Sequence, residues 1–266
     1  MSPVHVSSAV VTAALALLAV APAAAAPACT AKSGEAMLPL VELFTSEGCD
    51  SCPPADRWLS AAFPPDRAGA GASVLAFHVD YWDRLGWKDR FASPAHTERQ
   101  RAAVTTAGGG AFAYTPQVLV QGRDVAPGRR GDVPGRVAAA ARRPARAGVA
   151  LEATPGDGGA WTVYATVAVA DRAAARRAAL WLAYTDSGHA TDVKAGENRG
   201  ARLVHDHVVR AWRGPFPVAA DGAVAANVTF APPGERGRGA AIVAVVLDAA
   251  SGDVLQTLTL PACGGG

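Results

Sequence analysis

The chain has 266 residues, half of them apolar and 18% charged, with a formal net charge of +2. That balance excludes a disordered chain and gives no support for nucleic acid as a partner. Lysine occurs only at Lys32, Lys88 and Lys194, so the arginine-rich stretch Arg142, Arg143 and Arg146 reads as a solvated helix end.

Residues 1–28 carry no Asp, Glu, Lys or Arg, and an apolar run from Val10 to Val20 is followed by Pro22 and a string of alanines. Such a run is short for a membrane span but suits a signal peptide with an Ala-x-Ala cleavage site, although His5 and the terminal amine are its only positive charges. The mature chain is expected to be periplasmic or secreted, with no transmembrane segment. Cleavage before Cys29 would make it the terminal residue and open it to lipid attachment; the Leu expected three positions upstream is missing, which ranks this below simple secretion.

The cysteines are Cys29, Cys49, Cys52 and Cys263. In an exported chain disulfides are permitted. Cys29 and Cys263 lie near the mature ends, which are often close in space, so they are expected to form a structural disulfide and leave Cys49 and Cys52 as a local pair.

Leu40–Thr45 reads as a strand bounded by Pro39 and Gly48. Pro53-Pro54 opens a helix with Trp58, Leu59, Ala62 and Phe63 on one face, and Ser73–Val79 is a nearly continuous apolar strand. A helix from about Ser93 to Thr106, a break at Gly108-Gly109-Gly110, a strand at Gln117–Val120, a short partner near Val125 and a helix over 133–141 follow. The order β-α-β-α-β-β-α is that of a thioredoxin core. After a composition shift near 144–148 the runs look all-β, with Trp161, Val163, Ala165, Val167 and Val169 alternating as in a half-buried strand. Gly156–Gly159 and Pro232-Pro233-Gly234 punctuate those runs. The expected fold class is therefore an α/β thioredoxin-like domain (38–146) followed by a smaller, sandwich-like all-β domain (147–263).

Cys49-x-x-Cys52 falls between a strand and a helix. A thiol at a helix N-terminus meets unpaired amides and the positive end of the dipole, which favour thiolate. At this spacing one thiol can attack a disulfide and the other resolve the mixed intermediate, making Cys49 the expected exposed nucleophile and Cys52 the more buried resolving thiol. Thr115-Pro116, directly before a strand, is the expected cis peptide facing the pair.

The stretches Glu42–Asp56, Ala76–Trp87, Arg99-Gln100, Tyr114–Gln117, Gly196–Gly200 and His205–Arg210 closely resemble a family of secreted thioredoxin-like proteins, domain-of-unknown-function family 1223. The resemblance runs from about Leu38 to Cys263 and implies the fold, without supplying a substrate or a reaction. Unlike ordinary thioredoxins, the chain has Asp50 and Ser51 between the thiols and Glu47 two residues before Cys49. Nearby carboxylates oppose thiolate formation, which points to a reductant, an isomerase-like thiol or a slow one.

His78 and Asp80 fall at the carboxyl end of a strand, where open α/β sheets gather ligands. They could shuttle protons to the thiols, or His78 could join the cysteines as a soft-metal site; the plainer role for each is a hydrogen bond at the sheet edge. Tyr81, Trp82 and Trp87 read as packing for a long loop, and His96, Glu98 and Arg99 as the solvated face of their helix. His205 and His207 would share one face of a strand with Asp206 pointing away, too few ligands for a metal, so a structural or surface role is expected.

The favoured function is thiol–disulfide exchange with exported protein thiols or disulfides, through Cys49, Cys52, Thr115 and Pro116, with no cofactor and no assigned metal. The alternatives are copper or zinc binding or delivery, and a binding module with a static disulfide.

Overall fold

The computed structural model describes residues 28–106, 112–231 and 234–263. The leader up to Pro27, the glycine break and the Pro232-Pro233 turn lie outside the described residues. Fourteen strands and four α-helices are described in chain order. They are β1 (Cys29–Lys32), β2 (Leu40–Thr45), α1 (Pro53–Ala62), β3 (Ser73–His78), α2 (Pro94–Thr106), β4 (Gln117–Val120), β5 (Arg123–Val125), α3 (Val133–Ala141), β6 (Gly148–Pro155), β7 (Trp161–Ala168), α4 (Arg172–Ala175), β8 (Ala178–Ser187), β9 (His189–Asp192), β10 (Arg202–His205), β11 (Val208–Pro217), β12 (Ala223–Phe230), β13 (Arg238–Asp248) and β14 (Val254–Pro261).

Eight strands form one sheet in the order β14-β13-β8-β11-β3-β2-β4-β5. Strands β2 and β3 are parallel with Leu43 opposite Ala76, and β4 runs antiparallel to β2. Strands β1, β6, β7 and β12 form a second sheet, and β9 with β10 makes a two-stranded hairpin. Every residue of β2 and β3 is buried, as expected of strands covered on both faces. On one face Val41, Leu43, Val74 and Ala76 meet Leu59 of α1 and Val133 of α3. On the other, Phe44 and Phe77 stack at 5.3 Å and pack with Trp212 of β11 and Ala103 of α2. The inward residues of β7 (Val163, Ala165 and Val167) pack against Leu180, Leu182, Ile242 and Ala244, so the four-stranded sheet covers the β8–β13 end of the large one.

This architecture corrects the expected fold class. The molecule is mostly β, with 42% strand and 21% helix, rather than an α/β thioredoxin-like unit followed by a small sandwich. The physical reason lies at β3. Its open edge is completed by β11, which pairs in parallel at Val208 opposite Ala76, with Ala76 N donating to His207 O. Strands β8 and β13 extend the sheet from there; β8 is buried along almost its whole length and β13 from Ala241 to Asp248, which a half-exposed sandwich strand would not be. Alternation in β7 was legible, but nothing local records which edge a strand will join.

Cys29 and Cys263 are joined, their Cα atoms 5.7 Å apart, tying β1 to the segment after β14. Two disulfides fit an oxidising compartment outside the cytoplasm. Among the described residues no helix is long and apolar enough to cross a membrane.

Candidate functional site

Two prolines at the start of α1 cannot donate backbone hydrogen bonds, so the helix begins at Pro53 and Cys52 stands as its N-cap. Cys52 O accepts from the amides of Ala55 and Asp56. Cys49 and Cys52 form a disulfide with Cα atoms 5.4 Å apart, and both residues have 0% exposure, which corrects the expectation of an exposed Cys49. The Thr115 hydroxyl donates to Cys49 Sγ at 3.4 Å, while Trp82 Nε1 donates to Thr115 Oγ1 at 2.7 Å. Pro116 follows in a cis peptide directly before β4. Ser51 Oγ is also 3.4 Å from Cys49 Sγ.

The loop between β9 and β10 closes over this segment. Asn198 Nδ2 donates to the carbonyls of Glu47 (2.9 Å) and Cys49 (2.8 Å), and Glu197 accepts from Asp50 N at 3.3 Å. Asn198→Ala removes both clamping bonds, each worth about 1 kcal/mol, so reduction of Cys49–Cys52 by dithiothreitol is expected to accelerate by up to about thirtyfold. An unchanged rate would show that the loop does not gate the sulfurs.

Beside the disulfide lies a buried polar cluster. Asp89 Oδ2 accepts from His78 Nδ1 at 2.7 Å and from Glu47 N at 2.9 Å, and Asp89 Oδ1 accepts from Phe91 N at 2.9 Å. Burial pushes the Asp89 carboxyl up, but the His78 charge and these hydrogen bonds outweigh it and hold it down at about 2. Burial pulls His78 down, and the Asp89 carboxylate more than offsets this, leaving the imidazole above its ordinary range. Glu47 Oε2 accepts from Trp87 Nε1 at 2.8 Å, while Oε1 lies 3.4 Å from His205 Nε2, an ion-pair distance without hydrogen-bond alignment. Burial opposes ionisation of Glu47, yet its contacts with His205, Thr191 and Trp87 prevail and lower it. Asp56, buried and accepting from the Thr45 hydroxyl at 3.1 Å, is raised by burial.

Several sequence expectations land elsewhere. His78 belongs to this cluster, but Asp80 does not reach it: its carboxylate accepts from the Thr97 hydroxyl and so holds the start of α2. Tyr81 donates to Gln100, and Trp82 and Trp87 pin the long loop through the bonds above. Of the supposed solvated face of α2, only Glu98 is exposed; His96 and Arg99 are buried, the latter forked onto Glu42. His207 donates to or accepts from no cluster residue and instead meets Phe63 O through Nε2 at 2.7 Å. Sequence reasoning gave His205 a structural or surface role on one face with His207, and passed over Asp89; the structure parts the two histidines and sets His205 against His78. The inward register of β10, where Leu203 and His205 are buried and Arg202 and Val204 exposed, was the available signal for His205. Among the described residues no group of three or more His, Cys, Asp or Glu side chains is arranged to hold a metal ion.

His96 carries a pH signature. Burial lowers its imidazole to about 4, with Nδ1 against His78 O at 3.0 Å. Between about 4 and its ordinary 6.5 the unfolded chain binds a proton that the folded chain refuses, so stability falls as pH drops through that window. Chemical denaturation at pH 7 and pH 4.5 is expected to show a smaller acid loss in His96→Gln than in the wild type; equal losses would contradict the assignment.

Solved structures resemble the whole arrangement. Protein AGR_C_4864 from Agrobacterium tumefaciens is 25% identical, with a TM-score of 0.59 over 86% of this chain and 96% of that one. HBP35 of Porphyromonas gingivalis is 18% identical, with a TM-score of 0.61 over 85% of this chain and 75% of that one, a likeness of fold alone. No curated protein matches the chain significantly. The family described as protein of unknown function (DUF1223) matches residues 40–247, which include both site cysteines, Thr115, His78 and His205, and the chain belongs to that family.

Proposed function

We propose that the protein is an exported thiol–disulfide oxidoreductase, periplasmic or secreted, that exchanges electrons with protein thiols or disulfides through Cys49 and Cys52. The observation that carries this reading is the Thr115 hydroxyl, held by Trp82 and aimed at Cys49 Sγ. A hydroxyl donor at that sulfur stabilises a thiolate more than a thiol, which is what a nucleophilic cysteine requires. The positive end of the α1 dipole, at Cys52, adds to this. Cys49 is the nucleophile, Cys52 the resolving thiol, and Thr115-Pro116 the segment against which a partner strand aligns.

Cys52→Ser is the test. It should accumulate mixed disulfides on Cys49 that disappear under reductant and are missing from the Cys49→Ser/Cys52→Ser double variant. A second reading, a binding module with a static disulfide, is favoured by the complete burial of both cysteines and by Asn198 clamped to the Cys49 carbonyl. It predicts no trapped species in either variant.

A further inference from the structure

Among the described residues, five buried side-chain polar atoms without a hydrogen-bond partner fall on four residues: Glu47 Oε1, His78 Nε2, Thr191 Oγ1 and both ring nitrogens of His205. Buried polar atoms are normally paired, and one imidazole with neither nitrogen satisfied is unusual. These atoms form a single cluster. The His78 and His205 rings meet edge to face at 4.7 Å, His205 Nε2 is 3.4 Å from Glu47 Oε1, and Thr191 interacts with the same carboxyl.

The cluster also has a way out. A cavity of about 110 Å³ between α1 and β10 is lined by Asp56, Arg57, Arg202, Leu203 and His205 among others. Arg57 and Arg202 are exposed, so the cavity reaches solvent, while His205 is 2% exposed at its inner end. Cys52 has helical backbone angles and Asp56 follows one turn later, so both lie on the same buried face of α1. Asp56 and His205 line this cavity together and interact electrostatically, so titratable groups in reach of solvent adjoin the face of α1 that carries Cys52.

We infer that His205 is the proton-relay residue of the disulfide site, acting through Asp56 to carry the Cys52 proton to and from the cavity. The inference rests on the thiol–disulfide reading. In the oxidising direction a partner is joined to Cys49 as a mixed disulfide. Cys52 Sγ gives its proton to Asp56, which passes it through His205 to cavity water. The Cys52 thiolate attacks Cys49 Sγ; the Cys49–Cys52 bond forms, the bond from Cys49 to the partner breaks, and the partner sulfur leaves with the electron pair. The cysteine pair is oxidised by two electrons and the partner reduced by two. Reduction runs the same steps backwards, with the relay supplying the proton.

The charged and titratable groups facing His205 are Glu47 from the loop after β2, His78 from β3, Asp89 beyond it, Asp56 and Arg57 from α1, and His189 opposite it in β9. Burial raises Asp56 above the ordinary carboxyl range, which makes it a better proton acceptor from a thiol.

The experiment forms a thionitrobenzoate mixed disulfide on Cys49 of the reduced protein and follows release of the coloured thiolate by stopped flow from pH 5 to 9. His205→Gln is expected to slow resolution about a hundredfold at pH 7 and to make its rate climb with pH, as when hydroxide replaces a relay. In His205→Ala, added imidazole should restore the rate through the cavity. Should the His205 variants fail to fold, Arg57→Trp, at an exposed position over the cavity mouth, should give the same pH-dependent slowing. A loss equal at every pH and not rescued by imidazole, or no loss, overturns the relay while leaving the oxidoreductase reading intact. A wild-type protein that never resolves the mixed disulfide overturns both.

Discussion

Arg99→Met is expected to lower the unfolding free energy by about 3–5 kcal/mol, the loss associated with stranding one charge of a buried pair. Glu42 sits in the middle of β2 with 0% side-chain exposure, flanked in register by Leu75 and Leu119. Among the described residues its compensation is the guanidinium of Arg99 on α2, which donates through Nε at 2.8 Å and Nη2 at 2.9 Å. A planar fork matches a carboxylate in this way, and a lysine would not, so Arg99→Lys should recover less than half of the loss. Adding Glu42→Gln to Arg99→Met should return part of the stability, because the stranded charge is then gone. Urea unfolding of the oxidised proteins measures all three; a loss below about 1 kcal/mol in Arg99→Met would contradict this account of the pair.

Removing the Cys29–Cys263 disulfide in a Cys29→Ala/Cys263→Ala variant should cost about 2–5 kcal/mol. The bridge closes a separation of 234 residues, so it constrains the unfolded chain over nearly its whole described length. Cys29 is 5% exposed and belongs to the core between the two sheets, where alanine also leaves unfilled space. Unfolding of the variant beside the wild type, both with Cys49–Cys52 oxidised, should show an earlier midpoint. An unchanged midpoint would mean that the ends are held by β1 and β14 packing alone.

What the sequence could and could not reveal follows from how local each signal is. The strand at Leu40–Thr45, the helix behind two prolines and the cysteine pair between them are written in consecutive residues, and they stand where expected. Thr115 was legible because a Thr-Pro step precedes a strand. The joining of β11 to β3 was not, because its one ladder pair, Val208 with Ala76, links residues with no local signature of each other. The same limit hid the site's full membership. His205 looked like a poor metal ligand beside His207, yet a turn with positive φ at His207 separates the two and sends only His205 toward His78. Asp89 sat in an aromatic loop with nothing to mark it as the partner of His78. Arg99 and His96, polar and on a helix, looked like a wet surface until Glu42 and His78 O supplied their buried partners.

The central claim is that Cys49 and Cys52 cycle between disulfide and dithiol. A glutathione redox titration of the mature protein, read by alkylation and mass mapping of Cys49 and Cys52, tests it most directly. The account predicts one reversible two-electron transition confined to this pair at a physiological glutathione ratio, with Cys29–Cys263 remaining oxidised throughout. A Cys49–Cys52 bond that stays closed at every ratio, in the wild type and in Asn198→Ala alike, would contradict the claim and leave the pair a structural staple.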